Sequence, residues 1–78
     1  MDIKEFLHDE DHYVSEVAHE VEGIMYDFET GAIDEEMRNE LLTDCLELAK
    51  TKSEMDSLET KTKIANFIAI VEKLTGLV

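Results

Sequence analysis

The residue types best suited to chemistry are three histidines that lie among carboxylates near the start of the chain. Glu5 and His8 are three residues apart, Glu16 and His19 have the same spacing, and His12 lies between the two pairs. Residues three apart project from one face of a helix, so each pair could offer two ligands to a metal ion. Metal binding is therefore the first activity to consider.

The Glu-x-x-His spacing resembles the ligand pairs of di-iron carboxylate bundles, in which such pairs point into the bundle core. A helical projection of this chain instead places His12, Glu16 and His19 nearly opposite the apolar stripe that begins at Val14, facing water. No further histidine completes a second pair. We predict a solvated polar face, no native metal site and no cofactor, although these three side chains could take up zinc adventitiously.

Nucleophilic side chains give no catalytic signature. Cys45, Ser15, Ser53 and Ser57 lie outside any motif that would supply a base and an oxyanion hole, and three glycines are too sparse for a phosphate loop. The single cysteine excludes an intramolecular disulfide, and its leucine neighbours favour a small buried residue over a reactive thiol. We predict that the protein is not an enzyme.

Charge is distributed very unevenly along the 78 residues. Residues 1–47 hold sixteen acidic side chains against Lys4 and Arg38, a formal net charge of −14, whereas residues 48–78 have a net charge of +1. A nucleic-acid binder needs clustered lysine and arginine, so direct binding of DNA or RNA is disfavoured.

The acidic half could present carboxylates along two helices much as a duplex presents phosphates, a DNA-mimic arrangement that would attract a basic groove. The alternative is a solvated face that only aids solubility. The residues predicted to form a partner-binding acidic face are Asp9, Glu10, Asp11, Glu16, Glu20, Asp27, Glu35, Glu36, Glu40, Asp44 and Glu47.

We predict that all of these residues are carried on helices. Proline is absent, 44% of the residues are hydrophobic, and apolar residues recur with helical spacing. We predict an all-α fold, a small antiparallel three-helix bundle in one domain over residues 1–78, with helices at roughly 11–30, 34–51 and 55–75. A short amphipathic segment precedes them and docks through Ile3, Phe6 and Leu7.

Helix ends are predicted from capping residues. Asp9 or Asp11 is predicted to cap the first long helix, with the helix interrupted before it. The alternative is one continuous helix over about residues 2–29. Gly31 ends that helix and Asp34 caps the next. Ser53 or Asp56 is predicted to cap the third helix, unless the second and third fuse into one rod. Mid-helix Gly23 either permits a close helix crossing or a mild bend, or is simply tolerated.

Two helices carry broad apolar faces. The predicted face of the middle helix comprises Met37, Leu41, Leu42, Cys45, Leu48 and Ala49, with Leu46 at its margin. In the last helix the apolar run 64–71 is too short to span a bilayer and wide enough to touch at least two helices. Its excess width suggests a homodimer that buries Phe67, Ile68, Ile70 and Leu74 between chains.

In size, acidity and lack of motifs the chain resembles the small regulatory proteins of phages or mobile elements that inhibit or adapt a host protein. The resemblance implies an acidic interaction module acting as inhibitor or adaptor on a basic, nucleic-acid-binding protein. The alternative is a structural homodimer. The N-terminus lacks a basic segment followed by an apolar one, which favours a cytoplasmic protein without membrane attachment.

Overall fold

The computed structural model describes residues 3–77 and places four helices within them. These are α1 (Lys4–Leu7), α2 (His12–Glu29), α3 (Glu35–Ser53) and α4 (Leu58–Thr75). The predicted all-α fold is therefore confirmed, with three long helices preceded by a short opening segment.

Acidic residues begin the first two long helices, as predicted. The Asp11 carboxylate accepts hydrogen bonds from the backbone N–H groups of Tyr13 and Val14 at 2.9 and 3.4 Å. Asp34 accepts from the N–H of Met37 at 2.8 Å. Asp11 has the extended backbone of a cap residue, so helical structure is interrupted between α1 and α2. This excludes the continuous helix.

The predicted cap of the last helix is wrong, although the predicted turn before that helix is present. Ser57, rather than Ser53 or Asp56, accepts from the N–H of Thr60 at 3.3 Å. Ser53 is instead the final residue of α3, where its hydroxyl donates to the Lys50 carbonyl at 2.8 Å. Ser57 has the extended backbone that a cap requires, which turns its hydroxyl towards the first turn of α4.

Contacts between α2 and α3 show that these helices are antiparallel. The Tyr13 hydroxyl donates to the Ala49 carbonyl at 3.3 Å, and near the other end of the pair Arg38 stacks on the Phe28 ring. Gly31 allows the tight reversal between them, since its φ of 82° is strained for other residues.

The core forms where α2, α3 and α4 meet beneath α1. The Phe67 side chain has no exposed area, and its ring contacts that of Phe6 edge-on with 5.1 Å between centroids. Ile3 and Leu7 pack against the same cluster, so the predicted docking of the opening segment is confirmed. The buried hydrophobic residues are Phe6, Val14, Val17, Ala18, Val21, Leu42, Leu46, Ala49, Ile64, Phe67 and Val71.

The apolar face predicted for the middle helix is partly wrong. Leu42 and Ala49 are buried as expected, and Leu46 joins them from the predicted margin. Met37, Leu41 and Leu48 are exposed, because α3 is rotated so that the arc through Leu42, Leu46 and Ala49 meets the core.

The described residues contain no candidate membrane-spanning helix. None of the helices between positions 3 and 77 is long and apolar enough to cross a bilayer.

Candidate interaction surface

Two rows of carboxylates lie on the outer side of α2 and α3. The first, which we call the α2 row, consists of Glu16, Glu20 and Asp27. The second, the α3 row, consists of Glu36, Glu40, Asp44 and Glu47. All seven side chains are exposed. The two rows together form what we call the acidic surface, and each occupies one side of its helix at about 100° of rotation per residue.

Contacts between the helices hold the two rows side by side. Glu20 of the α2 row accepts a hydrogen bond from the Cys45 thiol of α3 at 3.4 Å. Burial, with Glu20 as a further cause, raises the pKa of the Cys45 thiol to about 11. The half-buried cysteine is therefore a neutral thiol at neutral pH, as its leucine neighbours predicted, and it marks the line where the two helices touch.

The only basic side chain between Lys4 and Lys50 turns inward. The Arg38 side chain is 9% exposed, and its guanidinium lies 4.5 Å from the Phe28 ring centre. It donates to the Asn39 side chain at 2.8 Å and to the Thr75 carbonyl at 3.3 Å. These contacts hold the guanidinium at the junction of α2, α3 and α4. It therefore does not neutralise the carboxylates of the two rows.

Two members of the predicted acidic face have internal roles. Asp9 binds Lys63 of α4 with 2.9 Å between carboxylate and ammonium, and this hydrogen bond lowers the pKa of Asp9. Asp11 caps α2 and also accepts from the Thr60 hydroxyl of α4, which lowers its pKa too. Asp9 thus joins the α1–α2 connection to α4, Asp11 joins the start of α2 to α4, and neither carboxylate extends the acidic surface.

The two remaining predicted acids lie beside the rows rather than within them. Glu10 is exposed at the break between α1 and α2. Glu35 is exposed in the first turn of α3, 3.9 Å from the Arg38 guanidinium.

An exposed apolar line runs between the two rows and was missed by sequence reasoning. Met37, Leu41 and Leu48 lie within about 40° of one another around α3, and we call them the apolar stripe. The apolar arc of this helix is broad in the sequence, but helical spacing alone does not show which part of the arc the neighbouring helices cover.

The histidine-containing group is exposed to solvent. His12, Glu16 and His19 are exposed along the outer side of α2. In the part of the chain that the structure describes, no group of three or more histidine, cysteine or acidic side chains could hold a metal ion.

The predicted self-association face is mainly used within the chain. Phe67 is fully buried, and Ile68 and Ile70 are half-buried against the same core. Only Leu74 is widely exposed. Phe67 cannot form an interface between chains without unfolding, because α1 and the other helices already cover it. The assignment of Ile68, Ile70 and Leu74 to an interface between chains stays a prediction.

A groove lies between α2, α1 and the end of α4, and Asp27 of the α2 row is among its lining residues. It measures about 650 Å³ and is lined by apolar residues, including Ile3, Met25 and Leu74, together with acidic side chains, Lys4 and His19. Among the described residues, no serine or cysteine lines this groove.

The chain is thus a small all-α bundle that presents a strongly acidic surface on two adjacent helices. Comparison with protein-family models, with curated proteins and with solved structures finds no match.

Proposed function

We propose that the protein is a non-enzymatic interaction module whose acidic surface binds a basic partner protein, as an inhibitor or adaptor would. The observation that carries this proposal is the pair of adjacent, exposed carboxylate rows, from which the nearby cation Arg38 is withdrawn. Such a surface attracts a basic partner at long range and repels nucleic acid.

Charge complementarity of this kind favours a partner that itself binds nucleic acid. Proteins that neutralise phosphates carry clustered lysine and arginine, and two parallel rows of carboxylates could occupy the same groove. In this DNA-mimic form of the proposal, the protein competes with a duplex for one basic surface.

Charge reversal on α2 tests the proposal. Glu16→Lys with Glu20→Lys should weaken binding of a short fluorescent oligolysine by about threefold to tenfold and flatten its dependence on salt. Glu22→Lys with Glu29→Lys is the matched control, because it makes the same charge change on the groove side of the same helix.

The two double variants separate a specific surface from general acidity. Equal losses in both would show that only net charge matters and would contradict the proposed surface. The DNA-mimic form is tested by adding the protein to a basic DNA-binding domain bound to labelled duplex DNA. Displacement of the DNA is expected, and failure to displace it at low salt would refute that form.

A further inference from the structure

The apolar stripe is too exposed to serve the protein's own core. Met37, Leu41 and Leu48 are 44%, 38% and 56% exposed, and they lie on the side of α3 away from buried Leu42 and Leu46. From Met37 to Leu48 the helix advances eleven positions and rises by about 17 Å, the length of three helical turns. The stripe is therefore a straight apolar line that matches one short helix.

Carboxylates border this line on both sides. Glu40 and Asp44 of the α3 row follow one edge. Glu20 of the α2 row approaches the other edge, where it contacts half-buried Cys45 at 3.4 Å. Two cations, Lys50 and Lys52, follow Leu48 within one turn of α3, whereas the guanidinium of Arg38 is turned into the junction of the helices.

An apolar stripe bordered by carboxylates favours one class of binding partner. A second copy of the chain would bring its own carboxylate rows against these rows, and like charges placed opposite one another oppose association. A nucleic-acid duplex would be repelled in the same way. An α-helix with apolar residues along one side and lysine or arginine beside them would satisfy the stripe and both rows at once.

We infer that the apolar stripe between the two carboxylate rows is a docking line for a basic amphipathic α-helix of the partner. The inference rests on the proposed function and specifies the partner segment that the acidic surface recognises. Apolar contact with Met37, Leu41 and Leu48 fixes the axial position of the bound helix, while the rows attract its flanking cations. Binding then retains a component that salt does not screen.

A pair of synthetic peptides tests the inference. One is an amphipathic peptide of about 18 residues made of Leu, Lys and Ala, since much shorter isolated helices are marginal in water. The other has the same composition in scrambled order, so that its charge is unchanged and its apolar face is lost. Binding of each is measured by fluorescence anisotropy at low and high salt.

The ordered peptide should bind about tenfold more tightly than the scrambled one, and this ratio should persist at high salt. Leu41→Ser with Leu48→Ser should reduce its affinity to that of the scrambled peptide. Leu58→Ser is the matched control, because Leu58 is 79% exposed at the start of α4 and lies outside the stripe. Circular dichroism checks that each variant stays folded.

The other outcomes distinguish this inference from the proposed function. Equal binding of both peptides, weakened by Glu40→Lys with Asp44→Lys, would overturn the docking line and leave the acidic surface standing. Binding of neither peptide at low salt would count against both. A dimer of the protein alone that Leu41→Ser with Leu48→Ser abolishes would assign the stripe to a second copy and overturn the inference.

Discussion

Individual side chains hold neighbouring helices together through charge as well as through packing. Cys45 and Glu20 join α3 to α2, whereas Asp11 joins α2 to α4 through Thr60. In each case the contact changes the proton affinity of an ionisable group. Titration of these groups therefore reports on helix packing.

Removing the Glu20 charge should lower the pKa of Cys45. Burial is the larger cause of the raised pKa and remains in Glu20→Gln, so the value should fall from about 11 and stay above the ordinary 9.0. A thiol at 11 has about 100-fold less thiolate at neutral pH than one at 9. Alkylation rates measured against pH give the value directly.

Glu16→Gln is the control for that experiment, since it removes a carboxylate one turn earlier on the same side of α2. An unchanged Cys45 pKa in Glu20→Gln would mean that α2 and α3 do not meet in the described register.

Asp11 should make stability depend on pH in the acid range. Its pKa is lowered on folding below the ordinary 3.8, chiefly by the hydrogen bond from Thr60. The stabilisation is therefore complete above pH 3.8 and is lost as the pH falls through the lower folded value. Asp11→Asn should reduce this loss in urea unfolding experiments, at a cost of about 1 kcal/mol at neutral pH.

Asp34→Asn provides the comparison, because Asp34 caps α3 through the Met37 amide while its side chain is exposed. If both variants change the stability in the acid range equally, the contact between Asp11 and Thr60 does not contribute to the pH dependence of unfolding.

At the level of the helices, Gly23 and Gly31 have opposite structural roles. Gly23 lies inside α2, and a Cβ placed there would have no neighbour within 4 Å, so no close helix crossing requires it. Gly31 follows α2 with φ of 82°, where a side chain would be strained.

Alanine at these two positions should therefore change stability in opposite directions. Gly23→Ala should raise the free energy of unfolding by about 0.5–1 kcal/mol, since alanine restricts the unfolded chain and favours helix. Gly31→Ala should lower it by about 1 kcal/mol or more. Urea unfolding measures both, and a loss of stability in Gly23→Ala would show that α2 needs flexibility there.

Some helix ends could be predicted from the sequence, whereas others could not. Asp34 and Gly31 were predictable because capping and left-handed turns are local properties of the chain. The choice between Ser53 and Ser57 was not, since both can cap and only the length of α3 decides. The exposure of Leu41 was also hidden, because rotation of α3 depends on which apolar residues its neighbours cover.

The acidic surface was partly predictable for a related reason. Glu16, Glu20, Glu40 and Asp44 follow from helical spacing once the helices are known. The contacts of Asp9 and Asp11 with α4 could not be inferred, because their partners are about fifty residues away along the chain.

In the molecule as a whole, negative charge and exposed apolar side chains lie on the same side. The acidic surface and the apolar stripe both belong to α2 and α3, whereas residues 48–78 are nearly balanced in charge. Phe67 and its neighbours complete one core within a single chain. Repulsion between acidic surfaces then opposes pairing of two copies.

We therefore expect a monomer in solution. Light scattering over a dilution series should give the mass of one chain, 8.9 kDa, at low and moderate salt. A dimer at every dilution would contradict this expectation, and Leu74→Ser would then test whether the exposed end of α4 contributes.

The contacts between the opening of the chain and α4 also bear on how the molecule folds. Asp11 and Thr60 are 49 residues apart, and Asp9 and Lys63 are 54 apart, whereas α2 and α3 are joined by a short turn. Closing a long loop costs more entropy, so the α2–α3 hairpin should form before these contacts. Weakening them would then accelerate unfolding and leave the refolding rate nearly unchanged, which makes this junction a determinant of the protein's kinetic lifetime.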